Sequence, residues 1–448
     1  MAAHNLRVGF VPVARTTFDM ALAEQVTGAA HSQLVQAGFD VAGPAAPATT
    51  AEAVRAALDR FGPAPDAVIL FQATFADSSM ALEVGRAVHD VPLLLWAAPE
   101  AHTGERLRLN ALCGINLAAH ALARAGLRCQ HIYAPPGAEA VAQKVDALAR
   151  AGRVRRALRG ARVGCVEERP AGFETCDYDP AALRAALGVE VTAVSLAAVF
   201  GAARRADAAA VAGLRTALAR RVSGLDALDQ RALDGTLGVY TALRDAATGG
   251  GLRGLAVRCW PEFFTDLGCA ACGALSLLND EQVPCGCEAD VHGTITQLML
   301  QELSGAPAFG TDIVSLDSER DGVVVWHCGQ APLAMADPDV VPTGTIHSNR
   351  RLPLLMQFPL KPGTVTVARL SALAEGGLRL VVGRGEMLRA PMSFSGTSGV
   401  LRFERPAAAV LDTILSAGLE HHLALTYGDY VDALLALADL LALPVLRL

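Results

Sequence analysis

Two carboxylates and a pair of imidazoles are the residues in this chain whose types suggest chemistry. Glu288 sits in Cys287-Glu288-Ala289-Asp290, Asp312 closes Phe309-Gly310-Thr311-Asp312, and His421-His422 follows near the C-terminus. A hard divalent ion such as Mn²⁺ or Mg²⁺ prefers carboxylate oxygen with one imidazole, and the same carboxylates can move protons on a substrate held by the ion. Each residue also has a bland explanation. Glu288 could be a loop carboxylate or a partner to a helix cap at Asp290, Asp312 a turn residue ending a strand that starts near Phe309, and His421-His422 an exposed pair on a helix.

Weaker candidates surround these. Trp260 ends a buried strand and Glu262 follows it, where a side chain often faces a pocket, although Glu262 is equally placed to cap the next helix. His327 ends another strand and can face the same cleft or be a core histidine. Arg15 comes directly after the first strand, where phosphate or hydroxyl groups are commonly met. Asp77 is a further carboxylate of this weaker kind. Cys269-x2-Cys272 and Cys285-x-Cys287 suggest zinc, but one residue between the second pair is a poor bite for a tetrahedral ion, so buried thiols are the preferred explanation. No Gly-x-Gly-x-x-Gly follows the first strand and no Gly-x-Ser-x-Gly elbow is present, which disfavours dinucleotide binding and serine hydrolysis.

The elements that must position these residues are legible from period. The first 130 residues alternate: strand 6–13, helix 19–37, strand 39–41, helix 51–61, strand 67–71, helix 78–88, strand 92–96 and helix 112–125. Continuous apolar runs such as Val68-Ile69-Leu70-Phe71 suit strands covered on both faces. This predicts a doubly wound α/β domain over 1–150. Pro135-Pro136-Gly137 and a basic helix over 149–159 form its connector. A second α/β domain, 151–305, takes strands 161–166, 189–194 and 254–260 and the Ala-rich helix 206–222. Its last helix runs from the N-cap Asp290 to Leu303, with Val291, Ile295, Leu298, Met299 and Leu303 inward. Glu288 then precedes a helix N-terminus at the carboxyl side of a sheet, where open α/β sheets place ligands. From 306 to 448 the pattern becomes strand-rich (322–327, 363–369, 378–382, 400–404), predicting a compact, barrel-like β-domain that closes with a helix before Gly428 and another over 431–442.

Composition sets the outer limits. The chain has 448 residues, 52% hydrophobic and 19% charged, which is apolar enough to suggest surface buried between subunits. A net charge of −7 without Lys/Arg blocks argues against nucleic acid or an anionic membrane as partner and favours a small molecule. No export signal is visible and apolar runs are short, so the expected location is cytoplasmic, where the 10 cysteines stay reduced.

With these residues in place the sequence resembles the L-fucose isomerase and L-arabinose isomerase superfamily, closer to the fucose branch. The matching blocks are Cys-Glu-Ala-Asp-Val-His-Gly (287–293), Phe-Gly-Thr-Asp (309–312), Leu-Lys-Pro-Gly-Thr-Val-Thr-Val-Ala-Arg (360–369) and Gly-Leu-Glu-His-His (418–422). The resemblance implies two α/β domains followed by a β-rich one. It also implies an Mn²⁺ held by Glu288, Asp312 and His421, with His422 the less favoured alternative, and homo-oligomers, hexamers among them, whose active site borrows from a neighbouring first domain. The implied reaction is aldose–ketose isomerisation through an enediolate, with Glu288 and Asp312 as the proton-transfer carboxylates. The last domain is shorter than in typical L-fucose isomerases. That keeps open a sugar-binding or regulatory protein without catalysis, and an isomerase for an altered sugar (sulfonated, phosphorylated or deoxy) whose anion would meet Arg15 or Arg258.

Overall fold

The structure, a computed structural model, describes residues 6–448. Its chain separates into two compact units: one runs through Arg156 and takes in Asp432–Ala442, and the other holds Ala157–Val431 with Leu443–Leu448.

The first unit is built on a five-stranded parallel sheet in the order β2-β1-β3-β4-β5, with β1 Arg7–Val13, β2 Asp40–Ala42, β3 Ala67–Gln72, β4 Leu93–Ala97 and β5 Gln130–Tyr133. Every residue of β3 and β4 is buried, as their unbroken apolar runs require of strands with helices on both faces. The connector helix begins earlier than its basic stretch suggests and spans Glu139–Leu158. Asp77 is the N-cap of the helix Ser78–Ala87, its carboxylate accepting the Ser79 N–H.

The second unit joins two sheets. Strands β6 Arg162–Val166, β7 Glu190–Val194, β8 Gly254–Val257 and β9 Cys285–Gly286 form a four-stranded parallel sheet in the order β7-β6-β8-β9. Nine further strands follow: β10 Phe309–Asp317, β11 Gly322–His327, β12 Thr343–Thr345, β13 Leu355–Pro359, β14 Gly363–Ala372, β15 Leu378–Leu388, β16 Thr397–Phe403, β17 His422–Tyr427 and β18 Val445–Arg447. The run β16-β11-β10-β17-β14-β15 is antiparallel throughout and closes on itself because β15 also pairs with β16, so these strands make a barrel. Alternate residues fill it: Val323 and Val325, Val365 and Val367, Leu401 and Phe403, Leu423 and Leu425 belong to one core. The β-rich, barrel-like end expected from the sequence is therefore present.

The region before Gly428 departs from expectation. A helix does occur there, Ala407–Ser416, but the chain then turns, and His421-His422 leads into β17 rather than lying on a helix. His-Leu-Ala-Leu-Thr-Tyr is too short for its period to distinguish strand from helix. The helix Val291–Ser304 ties the two sheets of this unit together. It is buried from Val291 through Gln301, Thr296 Oγ1 accepts the Leu370 N–H of β14 at 2.9 Å, and Thr294 Oγ1 lies 3.4 Å from the Leu255 carbonyl of β8. The helix is covered nearly all round; its threonine hydroxyls are spent on backbone partners, whereas His292, Gln297 and Gln301 are buried with polar atoms left unpartnered. Among the described residues, no helix is long and apolar enough to cross a membrane.

Candidate active site

Glu288 leaves the carboxyl end of β9, immediately before the helix Val291–Ser304. It adopts φ 58° and ψ 24°, and Ala289 follows at φ 59°. Two successive non-glycine residues in the left-handed region cost on the order of 1–2 kcal/mol each, an expense normally met where a side chain must be aimed. The following residue fixes the turn. Asp290 caps the helix by accepting the Gly293 N–H at 2.8 Å, and its other oxygen meets the wholly buried Arg369 guanidinium and His422 Nδ1, the latter at 3.0 Å. A Cβ at Gly293 would stand 2.4 Å from Asp290 Oδ2, so only glycine fits there.

Asp312 lies inside β10 rather than in a turn, directly opposite His422 of β17 in the antiparallel register. Cross-strand neighbours of this kind have Cβ atoms about 4.5–5.5 Å apart, which is how residues so remote in sequence come together. His422 Nε2 lies 3.5 Å from Asp312 Oδ1 and 3.9 Å from Glu288 Oε2. His421 Nε2 lies 3.1 Å from Glu288 Oε2, and its Nδ1 lies 2.8 Å from Thr175 Oγ1. Glu288 Oε1 accepts the Trp260 indole N–H at 3.1 Å. Glu288, Asp312, His421, His422 and Trp260 thus form one cluster.

The two imidazoles are not equivalent. His422 points Nδ1 at the buried Asp290 carboxylate, which makes Nδ1 the protonated nitrogen and leaves the Nε2 lone pair facing Asp312 and Glu288. His421 spends both nitrogens on Glu288 and Thr175. Burial would raise the Glu288 pKa, but the His421 hydrogen bond and the adjacent His422 and Trp260 hold it below the usual carboxylate range. Burial would lower that of His421, and Glu288 with Asp312 raises it instead. Asp290, though fully buried, is held far below the ordinary range by Arg369 and His422.

The donor set fits a divalent ion. Asp312 Oδ1 is buried without a hydrogen-bond partner, and ligand atoms of Asp312, His421 and His422 lie within 4.8 Å of one another, with Glu288 joined to the same His422. Cys176, which nothing in its sequence context singles out, also comes within reach of Glu288 and His422. Burial and the nearby Asp290 and Glu288 charges push its pKa strongly up, so it stays a thiol.

The other candidates divide. Trp260 touches Glu288. His327 is buried at the cluster's edge with its ring 5.8 Å from that of His422, and its Nδ1 accepts the Cys328 N–H at 2.8 Å. Arg258 and Glu262 are paired to each other through two contacts, 2.6 and 3.0 Å. Arg15 lies in the first unit, where its backbone N–H donates to Thr74 Oγ1. The four cysteines considered for zinc do not converge: Cys287 pairs with Cys259 at 2.7 Å, Cys272 with Cys328 at 3.4 Å, and Cys269 and Cys285 are separate buried thiols.

Comparison with known proteins gives the family. Residues 9–159 match the family described as fucose/sulfoquinovose isomerase, N-terminal domain, and residues 356–448 match L-fucose isomerase, C-terminal domain. A sulfoquinovose isomerase of Priestia aryabhattai is 32% identical over 442 residues, 98% of either chain. The chain belongs to the fucose/sulfoquinovose isomerase family. Sulfoquinovose isomerases of Alkalicoccus urumqiensis, 30% identical over 99% of each chain, and of Clostridium sp. (strain MSTE9), 32% identical over 98% of each, are similar along their whole length. Membership makes the chain a sugar isomerase.

Proposed function

We propose that this protein is an Mn²⁺-dependent aldose–ketose isomerase acting on sulfoquinovose, a hexose with a sulfonate at C6, with Glu288 and Asp312 moving the protons. The observation that carries the reading is that His422 Nε2 faces both carboxylates, Asp312 Oδ1 at 3.5 Å and Glu288 Oε2 at 3.9 Å, with Asp312 Oδ1 a buried acceptor that has no donor. The sulfonated substrate rests on the full-length similarity to sulfoquinovose isomerases.

Glu288, Asp312 and His422 would hold the ion. That assignment prefers His422 to His421 because only His422 keeps a lone pair for it, while His421 orients Glu288. When bound, the ion would polarise the O1 and O2 oxygens and favour the enediolate. The chain's own contribution is positioning and proton transfer. Glu288 is fixed by one donor on each oxygen and stays ionised, so it is aimed yet retains further lone pairs. Asp312, with a free oxygen beside it, can take a proton from carbon or from the hydroxyl as the aldehyde and ketone exchange.

The sequence-based expectation of a homo-oligomer enters here as part of the same proposal. Exposed Leu107, Leu112 and Tyr133 of the first unit support it, and sedimentation velocity checks it. The central test follows sulfoquinovose and its ketose by NMR. Turnover should vanish in chelator and return with Mn²⁺, and full activity after exhaustive chelation would refute the metal's part. His422→Ala should lose bound Mn²⁺ by elemental analysis, whereas His421→Ala should keep it and lose rate.

A further inference from the structure

Around the cluster most cations are already neutralised. Arg258 gives its fork to Glu262, Arg169 pairs with Asp177, and Arg369 pairs with Asp290. Arg350 is different. Its guanidinium carbon lies 4.8 Å from the Trp260 ring centroid and 5.1 Å from that of Phe264, and among the described residues no carboxylate or carbonyl pairs with its side chain. Trp260 is the residue whose indole N–H holds Glu288, so this cation stands one indole away from the catalytic carboxylate.

The placement is built rather than incidental. Trp260 is itself held edge-on by Phe173, with ring centroids 5.1 Å apart. The turn carrying Arg350 is wound about His347, whose Nδ1 faces the N–H groups of Asn349 and Arg350 at 3.3 Å each, whose carbonyl accepts the Arg351 N–H, and whose ring packs edge-on against Phe264 at 5.2 Å. Burial and the Arg350 charge lower the His347 pKa to about 4, so the imidazole remains the neutral acceptor that this turn uses. A guanidinium held over aromatic faces spends no N–H donor on a carboxylate there, and its fork of N–H groups is the part that binds oxyanions bidentately.

We propose that Arg350 is the specificity residue that receives the anionic C6 substituent of the sugar, its guanidinium edge donating to the sulfonate oxygens. Trp260 touches both Glu288 and Arg350, so a sugar whose C1 and C2 lie at the carboxylates would reach this guanidinium by extending its C6 end along the indole. The assignment rests on the isomerase reading above and replaces Arg258, whose donors are committed to Glu262.

The test compares Arg350→Gln and Arg350→Lys with the parent protein, measuring KM and kcat for sulfoquinovose and the inhibition constant of 6-deoxyglucose, which lacks the anion. For Arg350→Gln the sulfoquinovose KM should rise about 10- to 100-fold, the size of effect expected when a charged hydrogen-bond donor is removed, while the 6-deoxyglucose constant moves less than about threefold. Arg350→Lys, which keeps the charge without the planar fork, should fall between. A parallel rise for both sugars, or no change for either, overturns the assignment. A parent protein that does not isomerise sulfoquinovose refutes the isomerase reading instead. Calorimetric titration of sulfoquinovose into parent and Arg350→Gln protein then decides Arg350 alone: tighter binding by the parent upholds it, and equal or absent binding overturns it.

Discussion

Glu100 and Glu288 are both carboxylates just beyond the carboxyl end of a parallel strand, one in each unit, and they are used in opposite ways. Glu100 accepts three backbone N–H groups, from Arg108, Leu109 and Asn110 at 2.7–2.9 Å, and so stitches a loop to the end of β4. Glu288 accepts only two side chains, Trp260 and His421, and faces His422 as well. Burial opposes ionisation of both and hydrogen bonding overcomes it in both, so a depressed pKa does not distinguish them. What distinguishes them is the partners: three backbone donors take up most of the first, while the second is held by two side chains and keeps lone pairs beside an imidazole that also faces Asp312. One sheet architecture thus serves as a clamp in one unit and as a platform for chemistry in the other.

The contrast can be broken most sharply at the cluster. Glu288→Gln and Asp312→Asn should each cut kcat by about 10²–10⁴-fold, the range for removing a proton-transfer group, with thermal unfolding nearly unchanged. Retained activity in both variants would end the assignment. Asp290→Asn should act chiefly on stability. It removes the nearer of the two carboxylates facing the buried Arg369 charge, leaving Glu420 at 3.7 Å, and lets the His422 ring turn, at a cost of about 3 kcal/mol read from urea unfolding. Glu100→Gln, the matched change in the first unit, should cost less, about 1–2 kcal/mol, through weakened backbone hydrogen bonds.

The smallest effect concerns acid. His292 is buried with neither ring nitrogen hydrogen-bonded, and burial with the Arg369 charge lowers its pKa to about 4 from 6.5. The unfolded chain therefore binds this proton more readily than the folded one between those values. The resulting stability is fully present above about pH 6.5 and is lost as pH falls towards 4. His292→Leu should flatten that limb of a stability–pH profile by about 1–3 kcal/mol. An unchanged profile would show that the imidazole is not the group responsible.

How legible this was depended on range. The strands and helices of the first unit could be read because runs such as Val68–Phe71 and the helical stripes are local signals. Glu288 before a helix capped by Asp290 was legible for the same reason. The encounter of Asp312 with His422 was not, since it depends on which strands become neighbours, and that order is a property of the closed barrel. Only the family resemblance placed the two in one site, and it favoured His421 over His422 as the ligand. Asp290 looked like a cap and is also the anchor for Arg369 and His422. Arg350 lay in no motif at all, because a cation on an indole face is made by tertiary packing and leaves no spacing to detect.

Strand β17 is threaded between β10 and β14, and it carries His422 at its first position. Until that late segment docks, the newly made polypeptide has both an unfinished site and two exposed sheet edges, the kind of surface on which other chains add and aggregate. Catalytic competence and protection from misassembly should therefore arrive together, in a single closing event near the end of folding.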